Sequence, residues 1–233
     1  MKLLPDSERE EPVSAQLLPL ESRPESISDW ALATIREAII ARTLAPGSVV
    51  TEAQLSKELG VSKTPVREAL LRLREVGLVK PMPVRGMMII ESTRDTLIQS
   101  YELRGLLEAG VSRFAAARAT DEQIATMQAA AAESLRCAEE RDSDAFRRSD
   151  RIFHATVWSA AGNAELERIA DNAYSLSSAM RAIHALSNRD SIKCAHQHLD
   201  ITDAIRDGDE ERAATLATAH VRDVLQYSLG SPS

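Results

Sequence analysis

Residues 44–79 read LAPGSVVTEAQLSKELGVSKTPVREALLRLREVGLV, and this stretch decides the fold. Thr51 and Glu52 open a helix whose Leu55 and Leu59 share one face, and Gly60 offers the left-handed conformation that a sharp exit requires. After the turn Gly60-Val61-Ser62, Thr64 is placed to cap a second helix with Pro65 in its first position, where a missing N–H is harmless. Val66, Ala69, Leu70 and Leu73 form the inner stripe of that helix, which stops at Gly77. Lys63, Thr64, Arg67, Glu68 and Arg72 stand toward its outer side. Two helices joined by a tight glycine turn, the second basic outside, have the shape that a DNA major groove accepts.

Upstream, Ile27, Ala31, Ile35 and Ile39 recur every four residues and predict a first helix ending before Pro46-Gly47. Downstream, Leu78-Val79-Lys80 and Met87-Met88-Ile89-Ile90 predict two short strands joined by a tip at Arg85-Gly86. Residues 25–91 therefore read as a winged helix-turn-helix: three helices plus a short β-hairpin wing. Residues 1–24 carry Pro5, Pro12, Pro19 and Pro24 among Glu and Ser, and predict a disordered tail. Beyond Ser92 the helical period persists, with starts expected at Thr93, Thr120 (with Gln123 as a capping box), Asp142 or Ser143, Asn163, Asp190 and Asp209. Residues 92–230 thus predict an antiparallel bundle of about six helices, and the whole chain is mostly α.

Composition agrees. Aromatic residues make up only 3% of the chain, which favours helices packed through small aliphatic side chains over a β sandwich. Cys137 and Cys194 have no CxxC spacing, so they read as reduced thiols without a function. No apolar run reaches the length of a membrane span and no signal segment opens the chain, which predicts a soluble, cytoplasmic protein. The net charge of −7 argues against nucleic acid only until it is divided along the chain: −2 over residues 1–24, +2 over 25–90 and −7 over 91–233. Between Gly60 and Ile90 six basic side chains face only Glu68 and Glu75.

Arg67, one turn into the second helix of the motif, has a planar fork matching O6 and N7 of guanine, while Lys63 and Thr64 suit phosphate. A solvated charged face explains the same periodicity, so spacing leaves both readings open. The S-K-T-P-V-R-E-A-L core, the E-V-G-L-V exit, the Pro-Gly before the helix and the Arg-Gly tip resemble the winged helix-turn-helix of the GntR family of transcription regulators, over residues 27–90. The resemblance implies DNA contacts by Ser62, Lys63, Thr64, Arg67, Arg85 and Gly86. It departs at Ala53, where some members carry a phosphate-binding arginine.

Asp150 and His154 are four apart, so they project from one helix face, and His198 and His220 fall on two later helices. One carboxylate with three imidazoles suits a borderline divalent transition metal such as zinc or nickel. An Asp/His pair at this spacing also stabilises helices without any metal, so spacing again leaves both readings open. His184 and His196 match no ligand pattern. The runs YELRGLLEAGVSRFAAARA (101–119), DRIFHATVWSAAGNAELERI (150–169) and HLDITDAIRDGDEERAATLATAH (198–220) resemble the FCD effector domain of the FadR-like branch, over roughly residues 93–229. In its metal-binding members D-xxx-H, H-xx-I-xx-AI-xx-GD and a last H supply the ligands, which implies Asp150, His154, His198 and His220.

Four ligands on an ion that accepts six leave places for a carboxylate, so a small organic acid is the expected effector. Arg104 reads as a second clamp on that acid or as a partner of Glu108 one turn on, and Asn172 and Arg181 are further pocket candidates. These features predict a repressor that binds two-fold operator DNA as a homodimer. An alternative makes the ion itself the signal; a metal-dependent hydrolase fits the ligands but gives no reason for the DNA-binding module.

Overall fold

The computed structural model describes residues 26–181 and 187–230; the expected tail at 1–24 and His184 lie outside them. Helix α1 (Ile27–Ile40) is capped by Ser26, whose hydroxyl accepts the Asp29 N–H, and it buries Ala31, Ile35 and Ile39. Strand β1 (Val49–Val50) leads to α2 (Glu52–Leu59), capped by Thr51 and closed by Gly60 at φ 68°. Helix α3 (Lys63–Val76) follows and ends at Gly77. Its inner stripe of Val66, Ala69, Leu70 and Leu73 packs with Ile35, Ile39 and Leu55 in one core.

The start of α3 corrects the expectation of a Thr64 cap. Ser62 is the cap, with extended backbone, and it makes no side-chain cap bond. Pro65 consequently sits third in the helix, still among the first four positions whose N–H groups have no intrahelical acceptor, so its ring is tolerated.

Strands β2 (Val79–Pro81) and β3 (Met87–Ile89) form the expected antiparallel hairpin, with Val79 opposite Ile89 and Pro81 opposite Met87. Strand β1 joins the other edge of β3, pairing Val49 with Met88, so the sheet has three strands in the order β1-β3-β2. Gly86 at the hairpin tip has φ +92°, and a Cβ there would lie 2.6 Å from the Val50 carbonyl oxygen. Only glycine fits that position without displacing β1.

The rest is helical: α4 (Arg94–Arg118), α5 (Asp121–Glu139), α6 (Ser143–Ala160), α7 (Ala164–Met180), α8 (Asn188–Arg206) and α9 (Glu210–Ser228). Loops of two or three residues join α4 to α5, α5 to α6, α6 to α7 and α8 to α9; α5 packs back on α6 and α8 on α9, whereas α4 packs on α9 and α7. Thr93, Thr120 with its Gln123 capping box, Asp142, Asn163 and Asp209 cap as expected. The exception is α8: Ser187 is the cap, and Asp190 is the residue whose N–H it accepts.

Helix α7 also ties the two halves together. Its Leu176 and Ala179 pack into the core beneath α1 and α3. Asp171 pairs with Arg36 of α1 at 2.7 Å and with Arg151 of α6 at 2.6 Å. Just past its end, the Arg181 carbonyl accepts a hydrogen bond from Arg42, and Ser92 in the connecting segment donates to the Met180 carbonyl at 2.8 Å.

Candidate metal centre and nucleic-acid interface

Ser62, Lys63, Thr64 and Arg67 are exposed at the start of α3, and Arg85 is exposed at the wing tip. Glu52, Ala53, Lys63, Arg85 and Gly86 line one surface cleft, so the recognition helix and the wing present their cations together. Ala53 leaves no basic group at its own position in that cleft. Arg67 is gripped by Glu52 in a fork, Nε to Oε1 and Nη2 to Oε2, both at 2.9 Å. The bond from Arg67 pulls the Glu52 carboxyl below its ordinary range. The pair lies at the surface, where such bonds exchange with modest cost, so Glu52 aligns Arg67 without locking it in place.

The second cluster is built inside the bundle. Helix α6 sets Asp150 and His154 one turn apart, α8 contributes His198, and α9 contributes His220; all four are buried. Ring nitrogens of His154, His198 and His220 lie within 4.8 Å of one another. Asp150 Oδ1 lies 3.6 Å from His198 Nε2 and 3.9 Å from His154 Nε2. Phe153 stacks on the His198 ring at 4.1 Å between centroids and fixes its plane. Three of the four residues singled out in the sequence, the histidines, therefore share one interior point, and Asp150 adjoins it through His198 and His154, while His196 is exposed on the other side of α8.

Burial dominates the electrostatics. It drives His198 down to about 3 and His220 well below its usual value, helped by neighbouring imidazoles, so both rings are neutral at physiological pH. Asp150 is held below the ordinary carboxylate range: burial opposes its charge, but His154, His198 and a 2.5 Å hydrogen bond from Tyr174 favour it. Neutral imidazoles beside an ionised carboxylate are the protonation states a divalent ion needs.

Other groups orient this set. His220 Nδ1 lies 3.1 Å from Gln197 Oε1, and Gln197 in turn donates to Asp223 at 2.8 Å. That arrangement puts the proton on Nδ1 and leaves Nε2 a free lone pair, and Nε2 is buried without a hydrogen-bond partner among the described residues. Glu108 Oε1 stands 3.3 Å from His154 Nδ1, close but not aligned for a full hydrogen bond, and Oε2 accepts the Trp158 indole N–H at 3.0 Å. Such carboxylate–imidazole contacts orient metal-binding histidines. The residues fit a divalent ion: the donor types are right, the charges are right, and His220 Nε2 is among the buried ring nitrogens without a hydrogen-bond partner.

Arg104 makes the Glu108 contact, 3.3 Å from Nε, and its Nη2 reaches His154 Nε2 at 3.1 Å. Its guanidinium also lies over the Tyr174 ring, 4.6 Å from the centroid. Arg104 is thus inside the cluster, on the nitrogen an ion would take. Arg181 lies in the same electrostatic neighbourhood: burial works against its charge, and Tyr101, Tyr174 and Asp150 favour it. Asn172, half-buried two residues before Tyr174, faces a different side of α7 and stands apart. The cleft beside His154 and His220 is too narrow for a water-sized molecule.

Sequence reasoning missed three residues. Cys194 Sγ lies 3.7 Å from His198 Nε2 and 4.0 Å from Asp150 Oδ1, and Asp150, Cys194 and His198 form a second compact donor group. Burial, then the Asp150 carboxylate, pushes this thiol well above its ordinary range. The signal was legible: Cys194 precedes His198 by four residues, as Asp150 precedes His154. Glu108 was visible only as a partner for Arg104, and nothing in the sequence points Tyr174 at Asp150.

A basic winged helix-turn-helix joined to a helical bundle with a buried polar centre defines a DNA-binding regulator with a second, all-helical domain. Residues 28–89 match the model for bacterial regulatory proteins of the gntR family, and residues 99–223 match the FCD domain. The chain belongs to the GntR family, in its FCD-containing branch. It is 30% identical to the Nta operon transcriptional regulator of Aminobacter aminovorans, over 76% of this chain and 82% of that protein. It is 25% identical to the transcriptional repressor RspR of Escherichia coli K12, over 82% of this chain and 84% of that protein. The solved structure of E. coli McbR/YncC superposes with a TM-score of 0.78 at 19% identity, over 88% of this chain and 98% of that one, and supports the fold. These relatives are regulators, and the chain is a DNA-binding transcription regulator rather than an enzyme. No helix among the described residues is long and apolar enough to cross a membrane.

Proposed function

We propose that the chain is a cytoplasmic repressor whose operator affinity is set by a small organic acid bound at a divalent transition metal ion, zinc or nickel. Asp150, His154, His198 and His220 hold the ion. The observation that carries this reading is the convergence of three buried imidazoles and an ionised carboxylate, with His220 Nε2 unpartnered among the described residues. When bound, the ion supplies Lewis-acid positions for a carboxylate. Glu108 and Gln197 orient the imidazoles, and Tyr174 holds Asp150 by its second oxygen. Arg104, 3.1 Å from His154 Nε2, would pair with the acid once His154 serves the ion, with Arg181 adding positive charge; Asn172 is the weakest of the three.

The division of labour follows the chain. Residues 25–91 bind DNA, with Arg67 reading a base and Ser62, Lys63, Thr64, Arg85 and Gly86 positioning the backbone. Residues 92–230 bind metal and acid and dimerise. Exposed Leu103, Leu106 and Phe114 on α4, with Gly110 open to space between them, supply an apolar face for a second copy, as two-fold operators require. Helix α7 carries the coupling: Tyr174 touches the centre, and Asp171 and Arg181 touch Arg36 and Arg42 of the DNA-binding half. An acid acts only through different affinity for two arrangements of these halves, a coupling of about 1 to 3 kcal/mol.

A thermal-shift screen of small organic acids, run on zinc-loaded and chelator-stripped protein and followed by operator-binding anisotropy, tests the proposal. Stabilisation by an acid only with zinc present, together with altered DNA affinity, is expected. DNA affinity that responds to zinc alone and to no acid would instead make the ion the signal.

A further inference from the structure

Helices α6 and α8 present the same short pattern to the centre. On α6 it is Asp150 and His154; on α8 it is Cys194 and His198, each pair one helical turn apart on one face. Cys194 is 2% exposed, and its sulfur stands 3.7 Å from His198 Nε2 and 4.0 Å from Asp150 Oδ1. Among the described residues two donor groups meet the distance requirement for an ion: His154, His198 and His220, and Asp150, Cys194 and His198. They share His198, and Asp150 Oδ1 bridges them at 3.9 Å from His154 Nε2. His220 Nε2 independently marks the spot as a ligand site, because it is buried and unpartnered among the described residues, on a ring whose Nδ1 is taken by Gln197 and which groups with His154 and His198.

We propose that Cys194 Sγ enters the coordination shell of the ion held by Asp150, His154, His198 and His220. The inference rests on the metal reading above and adds a ligand to it. As the sulfur–metal bond forms, the thiol proton leaves to solvent and no oxidation state changes. The thiolate neutralises one more positive charge and makes the set softer, so zinc and cobalt gain over manganese and magnesium. It also removes one exchangeable position, so an incoming carboxylate either takes a single site on the ion or displaces the sulfur. Cys137, the other cysteine, lies on α5 against Glu133 and serves as the internal control.

X-ray absorption on zinc-loaded, full-length wild-type protein tests this without any variant. A sulfur shell at about 2.3 Å beside nitrogen and oxygen at about 2.0 to 2.2 Å is expected. The cobalt-loaded protein then shows a sulfur-to-metal charge-transfer band in the near ultraviolet. C194S loses both signals, binds zinc at least about tenfold more weakly and keeps the d–d bands of the remaining ligands, whereas C137S changes nothing. Bound zinc surrounded by nitrogen and oxygen only overturns the added ligand and leaves the four-residue site standing. Failure to bind zinc or cobalt at all overturns the site itself and the added ligand with it.

Discussion

Replacing Glu108 by Gln probes the interior of the helical bundle most sharply. Glu108 is 3% exposed and faces three groups at once: Arg104 Nε at 3.3 Å, His154 Nδ1 at 3.3 Å and Trp158 Nε1 at 3.0 Å. Burial opposes its charge, yet His154, Arg104 and the indole bring it from 4.5 to about 2. A carboxyl lowered in the folded state stabilises that state above its unfolded value, and the contribution is lost as pH falls through the folded value. For Glu108 that is about 3 kcal/mol at neutral pH, disappearing between about pH 4.5 and 2. Breaking a buried pair costs about 3 to 5 kcal/mol, because Arg104 keeps its charge and loses its nearest anion. The two routes agree. For a chain of this size the loss lowers the melting temperature by roughly 6 to 20 °C. Circular dichroism on chelator-stripped protein at pH 7 measures it. The double variant R104M/E108Q leaves no unpaired charge and recovers most of the loss. A change below about 1 kcal/mol for E108Q, or a double variant worse than the sum of the singles, refutes the reasoning.

Arg67→Ala loses about 1 to 3 kcal/mol of discrimination at one base pair while Lys63→Ala weakens all sequences alike; an operator-variant panel separates the two, and a uniform loss for Arg67 contradicts its role. His198 is driven from 6.5 to about 3, so in chelator the unfolded chain takes up a proton that the folded chain refuses, and stability falls as pH drops through that window. From this one ring the loss is about 2 kcal/mol between pH 7 and 5, read from urea midpoints; a flat midpoint over that range rejects a neutral buried ring. Gly86→Ala puts a Cβ 2.6 Å from the Val50 carbonyl at φ +92°, so the wing loses about 1 to 3 kcal/mol of local stability, seen as faster hydrogen exchange at Met87 and Met88.

Much of this molecule was legible because local rules and the fold agree. The stripe of Val66, Ala69, Leu70 and Leu73 is both helical in period and buried in the core, and the Thr120–Gln123 capping box marks the start of α5. The rest depends on contacts that period cannot carry. Strand β1 has only two residues, too few for alternation, and exists because β3 offers a free edge. Ser187 and Asp190 are cap and capped residue three apart, and both residue types read as caps in a bare sequence. The four ligand candidates came from a family pattern. Cys194 was legible from its four-residue spacing to His198, whereas Glu108 and Tyr174 come from helices at distant places in the chain and meet the cluster only once α4, α6 and α7 are packed.

The most direct test of the central claim is calorimetric titration of zinc into chelator-stripped protein, for wild type, H198A and H220A. The account predicts one ion bound per chain in wild type, with affinity lost together in both variants while melting still reports a folded bundle. Stoichiometric zinc binding that survives loss of His198 or His220, or no binding by a folded wild-type protein, contradicts it.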